Sequence, residues 1–105
     1  MNPIEVTVTC ATADEARTIM EAVVGRRLAA CAQTWPIESC FRWDGDIDHD
    51  REHLVLMKTT DACFEAVCAA IAELHSYDLP AIAALPLSHC GPGYEEWLAE
   101  SVAAR

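Results

Sequence analysis

The chain has 105 residues and a formal net charge of −10, with 17 acidic residues against 7 Lys and Arg. One domain is the usual organisation at this length, and we predict a single domain over residues 1–105. The acidic balance argues against nucleic acids and anionic membranes as partners, because affinity for both depends on Lys and Arg.

The first part of the chain predicts a strand, a helix and a second strand. Residues 4–10 alternate apolar and polar side chains, which is typical of a strand. Residues 11–29 place apolar side chains at helical spacing, and Gly25 is expected to weaken or end that helix. Residues 30–43 are rich in strand formers, but Pro36 requires an edge or a bulge.

A hairpin is expected next, at Asp44-Gly45, because a type I′ turn needs positive φ at both central residues. The return strand is predicted over 52–60. The acidic segment between them superficially resembles a calcium loop, but His49 and Val55 stand where such a loop needs glycine and glutamate. We therefore interpret the acids as a solvated hairpin tip, although His49 and His53 share a strand face that metals can contact.

The remaining segments predict a helix, a short strand and a final helix. Asp61 is expected to cap the second helix, whose apolar residues from Phe64 to Leu74 follow helical spacing. Residues 81–87 form a short strand in this interpretation, and Pro86 again implies an edge. Residues 91–105 begin with turn residues and continue as a helix.

The order β-α-β-β-α-β plus a final helix is typical of an α+β, ferredoxin-like split β-α-β fold. Both helices would pack on one sheet face, which leaves the other for solvent or a partner. Large aromatic side chains exceed the needs of one small core and concentrate at subunit interfaces in general, so we expect a homo-oligomer. The aromatic residues concerned are Trp35, Phe41, Trp43 and Trp97.

The six cysteines are expected to be free thiols. The N-terminus carries acid where a secretory signal needs basic charge, and no apolar run approaches the roughly 20 residues that span a bilayer. The sequence thus predicts a cytoplasmic protein without membrane partners, where reducing conditions disfavour disulfides. No CxxC motif is present, so a zinc ribbon or thioredoxin-type site has no support.

Several segments, in order and with compatible spacing, resemble the CutA (divalent-ion tolerance) proteins over about residues 5 to 99. They are "RLAACAQTWPIESCFRWDGDI", "HLVLMKTT" and "ELHSYDLPAIAALPL…GYEEWL". Two positions depart from the family pattern: Ser76 replaces the proline of its His-Pro-Tyr segment, and Ala81 replaces the glutamate of its Pro-Glu-Ile segment.

The resemblance implies a homotrimer similar in architecture to PII signalling proteins, in which the long hairpin wraps the next subunit. It also implies a cytosolic protein linked to tolerance of copper and other divalent ions. No catalysed reaction is generally accepted for the family, and neither an enzyme nor an organic cofactor is expected. The residues agree, because His75, Ser76 and Asp78 are sequence neighbours, whereas catalytic triads converge from separate segments.

Cys10 and His75 are the candidate metal ligands. Cys10 ends the first strand and His75 ends the second helix, and the predicted fold can bring these ends together. Thiolate and imidazole suit copper or zinc, and the two residues match positions to which the resemblance attaches copper ligation. Two ligands are too few for a closed structural site, so the expectation is weak binding of copper or another divalent cation. The alternative is that Cys10 is a small inward-facing strand residue and His75 a polar helix terminus.

A second candidate function rests on Lys58, Tyr77, Tyr94 and Trp97, which would line an intersubunit cleft. Lys58 follows an apolar strand core, so a buried ion pair or an anion-binding role suits it. The aromatic residues suit interface packing or ligand contact. This interpretation predicts a PII-like small-molecule or anion sensor, and a third is a structural trimeric scaffold.

Overall fold

The structure is α+β and follows the predicted order of elements. This computed structural model describes residues 2–103. The strands are β1 (Pro3–Cys10), β2 (Cys31–Trp43), β3 (Asp46–Thr60) and β4 (Ala83–Pro86). The helices are α1 (Ala13–Gly25), α2 (Phe64–Leu74), which follows a 3-10 helix at Asp61–Cys63, and α3 (Tyr94–Ser101). Between residues 2 and 103, every helix is too short or too polar to cross a membrane.

The four strands form one antiparallel sheet in the order β2-β3-β1-β4. The alternation that predicts β1 also builds the core, because every second side chain of that strand is buried against α1 and α2. Fully burying one such apolar side chain contributes roughly 1.5–3 kcal/mol. The main core residues from these three elements are Ile4, Val6, Val8, Cys10, Ile19, Val23, Val67 and Ile71.

The hairpin turn has the predicted backbone. Asp44 and Gly45 have φ values of +50° and +83°, as a type I′ turn requires. The return strand, however, begins at Asp46 rather than at residue 52, and it pairs continuously from Trp43↔Asp46 onward. A two-residue turn brings the strands into register at once, so backbone hydrogen bonds continue through the exposed acidic segment.

The prolines lie on edge strands, as predicted: Pro36 is in β2 and Pro86 is in β4. The predicted cap at Asp61 is wrong. Asp61 starts the 3-10 helix, and Cys63 occupies the cap position of α2 without a capping side-chain hydrogen bond. The acid still lies near the positive end of the helix dipole, where its charge is favourable.

We expect Gly45→Ala to lower the free energy of unfolding by about 1–2 kcal/mol, the usual penalty for an L residue in the left-handed region. An added Cβ at Gly45 meets no atom within 4 Å, so backbone strain alone is tested. Gly91→Ala is the matched control, because its Cβ also enters open space but its φ is not left-handed. Urea denaturation at equal protein concentrations measures both. Equal stability of the two variants would contradict the turn assignment.

Candidate metal centre

Cys10, Glu15 and His75 converge at the end of β1. Each offers one ligand atom, and the three atoms lie within 4.8 Å of one another. Cys10 and His75 come together as the sequence analysis expects of the fold, and Glu15 joins them as a third donor. The centre thus combines a thiol, a carboxylate and an imidazole.

Local structure at two helix ends positions the side chains. Thr12 caps α1, and its Oγ1 accepts a 3.1 Å hydrogen bond from the Glu15 N–H, which places Glu15 in the first helical turn beside Cys10. At the end of α2, His75 turns extended, with φ −87° and ψ 141°. Its backbone N–H still donates to the Ile71 carbonyl at 2.9 Å. The chain therefore leaves the helix with the imidazole directed at β1.

Both imidazole nitrogens of His75 have partners. Nε2 donates to the Thr9 carbonyl at 2.7 Å, and the Tyr77 backbone N–H donates to Nδ1 at 3.0 Å. This network assigns the proton to Nε2 and leaves a lone pair on Nδ1. The side chain is 0% exposed. The imidazole is therefore held in one orientation, with Nδ1 as its acceptor.

Glu15 presents one satisfied and one unsatisfied oxygen to the centre. Oε2 accepts a 3.2 Å hydrogen bond from the Ser76 N–H. Oε1 is buried without a hydrogen-bond partner among residues 2–103 and lies 3.5 Å from His75 Nδ1. Two acceptors that face each other in a buried site favour a positive species between them. Hydrogen bonds within the described residues therefore leave Glu15 Oε1 unsatisfied.

Burial raises the pKa of the Cys10 thiol from 9.0 to about 12, and the nearby carboxylates of Glu15 and Glu52 add to the effect. The thiol is protonated at neutral pH, and a metal must displace that proton. Because the folded pKa is the higher one, this group's contribution to stability is present below pH 9.0 and is lost as the pH rises towards 12.

Tyr77 lies beside this centre. Its hydroxyl donates to Glu52 Oε2 at 2.8 Å, and its ring centroid lies 4.8 Å from that of His75. Burial raises the pKa of Tyr77, and the hydrogen bond to Glu52 raises it further. Tyr77 thus keeps its proton and satisfies one oxygen of Glu52, which is 6% exposed.

The other predicted site residues lie elsewhere in the protomer. Tyr94 stacks on Trp97 with centroids 5.7 Å apart, and its hydroxyl lies 3.8 Å from Cys31 Sγ. Cys31 pairs with Lys58 in the sheet. Tyr77, in contrast, contacts Glu52, six residues from Lys58 or about 20 Å along the strand. An intersubunit cleft that unites these residues stays a prediction.

Lys58 does not form the expected ion pair inside the described part of the chain, residues 2–103. It is half-buried, and its sheet neighbours are Glu5 on β1 and Cys31 on β2. The strand holds the side chain beside Glu5 without closing a salt bridge.

The sequence analysis missed Glu15 and Glu52 as site residues. Glu15 had a readable signal, because Thr12-x-x-Glu15 has the capping-box spacing that places a glutamate at a helix start. That start follows Cys10 by only a few residues, so the motif predicts a carboxylate near the thiol. Glu52 had no such signal, since it lies within an acidic run interpreted as solvated.

The sequence matches the family described as "CutA1 divalent ion tolerance protein" over residues 4–101. The "Divalent-cation tolerance protein CutA" of Thermus thermophilus is 39% identical over 97 residues, which are 91% of this chain and 94% of that protein. Mouse "Protein CutA" is 36% identical over 92 residues, 87% of this chain. The chain spans about half the length of the mouse, Arabidopsis thaliana and rice relatives, at 52%, 54% and 56%.

Solved structures give the same result for the fold. The T. thermophilus Cut A1 structure has a TM-score of 0.94 at 37% identity and covers 96% of this chain and 99% of its own. The rice CutA1 structure has a TM-score of 0.96 at 30% identity and covers 100% of this chain and 97% of its own.

We expect the Cys10 thiol to resist alkylation by iodoacetamide at pH 8 in the folded protein. Only the thiolate reacts, and the raised pKa alone lowers the thiolate fraction of Cys10 by about a thousandfold. Exposed Cys40 is the internal control and should be labelled readily, and both should react in urea. Peptide mapping by mass spectrometry measures the rates. Equal labelling of the two in the folded state would contradict the buried, protonated thiol.

Proposed function

Because the chain belongs to the CutA1 divalent ion tolerance family, we propose that it acts in copper tolerance by binding Cu²⁺ weakly through Cys10, Glu15 and His75. The carrying observation is the buried Oε1 of Glu15, which has no hydrogen-bond partner among the described residues and lies 3.5 Å from His75 Nδ1. The proposal assigns no catalytic role to the protein and places it in the cytoplasm, which the six free cysteines favour.

The donor set fits a borderline transition metal. Imidazole suits copper and zinc, thiolate adds a softer donor, and the carboxylate supplies a second negative charge. A bound divalent cation would satisfy Glu15 Oε1 and offset the charge that raises the Cys10 pKa. Three protein donors also exceed the two expected from sequence, and they match the open type of metal site.

The same contacts make the binding weak. A cation must displace the Cys10 proton, which burial and two carboxylates hold tightly. It must also compete with the Tyr77 N–H for His75 Nδ1. Metal binding is therefore coupled to proton release and strengthens as the pH rises. Such a site suits response to raised metal levels rather than permanent retention.

We extend the proposal to a PII-like homotrimer of ferredoxin-like protomers. The strand order β2-β3-β1-β4, with helices α1 and α2 packed on the same core, supports the ferredoxin-like description. Large apolar side chains remain exposed on the protomer, as expected of subunit interfaces. Those on the hairpin and α3 are Trp35 at 42%, Phe41 at 39%, Trp43 at 52%, Ile47 at 59% and Trp97 at 45%.

A second candidate function, an anion sensor, is favoured by the position of Lys58. Its ammonium has no ion-pair partner within residues 2–103, and its sheet neighbour Cys31 contacts the Tyr94 hydroxyl. A lysine and an aromatic side chain at a subunit boundary suit an anionic ligand. The acidic net charge of −10 opposes this function, so the metal role is the primary proposal.

We expect Cu²⁺ titration, followed by thiolate charge-transfer absorption, to show one site per chain that Cys10→Ser abolishes. Glu15→Gln should weaken binding about tenfold or more and leave the fold intact, because Gln keeps an acceptor for the Ser76 N–H. The apparent affinity for Cu²⁺ should rise between pH 6 and pH 8, by about tenfold per pH unit for each proton that binding releases.

The titration is done with Cys40→Ser in every variant, so that an exposed thiol does not contribute. Cys68→Ser is the matched control, since that cysteine lies on α2 away from the three donors. Binding that survives the combined loss of Cys10 and His75 would overturn the copper proposal.

We expect sedimentation equilibrium to give a mass three times that of the 11.5 kDa chain. Trp35→Glu should shift the population towards monomer, because a charge would be buried at an aromatic interface. Val24→Glu is the control, a similarly exposed apolar residue that lies on α1. A stable, folded monomer of the unmodified chain would contradict the trimer.

A further inference from the structure

Cys40 and His49 face each other across the β2–β3 hairpin, remote in sequence from the centre at Cys10. They are direct partners in the strand register, and Cys40 Sγ lies 3.9 Å from His49 Nε2. Both residues are exposed. We propose that this pair is a second metal site, which takes a soft monovalent cation of the Cu(I) class. It goes beyond the proposed function and does not depend on it.

The separation of the two donor atoms fits a shared metal ion. Metal bonds of about 2.3 Å to sulfur and 2.0 Å to nitrogen, with the atoms 3.9 Å apart, give a sulfur–metal–nitrogen angle of roughly 130°. That angle lies near trigonal geometry, so an ion can bridge the pair without backbone movement and accept one further ligand. Thiolate sulfur selects soft cations, and imidazole is compatible with them.

The strand pairing preorganises this site. The register is continuous on both sides of the pair, with Phe41↔Asp48 and Ser39↔Asp50 as its neighbours. Directly opposed residues of antiparallel strands hold their Cβ atoms about 5 Å apart. The side chains therefore need only small rotations to close on an ion. An open depression beside the pair leaves space for an external third ligand; it is lined by Glu38, Ser39, His49, Asp50 and Arg51.

The number of donors favours a monovalent over a divalent ion, because the charges beside the pair are mixed: Glu38 lies two residues from Cys40, opposite Arg51 in the register. Arg42 and Arg51 each lie two residues from a donor on the same strand face, about 7 Å away. Neither forms an ion pair with a carboxylate within the described residues. Across residues 2–103, moreover, Cys40 and His49 belong to no three-donor group that could hold a metal. Two donors are too few for a closed four-coordinate divalent site, and the soft thiolate among them matches a cation of the Cu(I) class.

Binding transfers no electrons. Cu(I) arrives in that oxidation state, the Cys40 S–H bond breaks as the sulfur–copper bond forms, and the proton passes to solvent. His49 contributes the lone pair of neutral Nε2 and keeps its proton on Nδ1. The bound pair is electrically neutral, because the thiolate balances the single charge of Cu(I).

The test is anaerobic titration with Cu(I), in competition with a colorimetric Cu(I) chelator, on the full chain carrying Cys10→Ser. We expect one equivalent retained by this background and lost in the added Cys40→Ser variant. His49→Gln should weaken retention at least tenfold. The matched controls Cys68→Ser and His89→Gln should change nothing, and circular dichroism checks the fold of each protein.

Two results would overturn this proposal: equal Cu(I) retention after Cys40→Ser or His49→Gln, or displacement of bound Cu(I) by stoichiometric Zn²⁺. The first removes the site and the second removes its selectivity. Because Cys10 is absent from every variant, neither result bears on the proposed Cu²⁺ site. The Cu²⁺ titration of that site in turn lacks Cys40, so the two proposals fail separately.

Discussion

The hydrogen bond from His75 Nε2 to the Thr9 carbonyl, 2.7 Å long, joins two segments 66 residues apart and holds the candidate centre together. It fixes the end of α2 against the end of β1 and determines which imidazole nitrogen carries the proton. That choice leaves Nδ1 as an acceptor towards Glu15 and the Tyr77 N–H. Loss of this bond would leave a buried donor unsatisfied, at a cost of about 1–3 kcal/mol. This contact therefore fixes where the imidazole lies relative to Cys10 and Glu15.

With the imidazole fixed, the electrostatics of the centre follow from an excess of acceptors. Within residues 2–103 Glu15 Oε1 has no hydrogen-bond partner and lies near His75 Nδ1, while Glu52 accepts a hydrogen bond from the Tyr77 hydroxyl. Burial raises the pKa of the Cys10 thiol to about 12, and the nearby carboxylates add to the effect. In the proposed function a proton and a metal ion therefore compete for one negatively charged space, and the competition would make a weak, pH-dependent site. A stronger site would require the thiol to be ionised in the apo protein.

Much of this arrangement can be predicted from sequence, and the failures have physical causes. The alternation around Cys10 and the Asp44-Gly45 turn predict local structure, because single backbone preferences decide them. The return strand was predicted too short, since side-chain charge does not reveal that backbone pairing continues through an acidic segment. The acceptor role of Glu15 and the contact of Glu52 with Tyr77 depend on long-range packing. The capping spacing before Glu15 was the one local signal available for them.

The two proposed sites illustrate how surroundings would select a cation when the principal donors are alike, since both pair a cysteine with a histidine. At Cys10 the environment is buried and carries carboxylates. Solvent screens their charges little, so they would attract a divalent ion strongly. At Cys40 the pair is exposed, the flanking charges are mixed, and no third donor joins it among residues 2–103. Sulfur softness is therefore left to determine the ion. Burial and the number of donors, rather than the cysteine–histidine pair itself, therefore set the class of metal in these proposals.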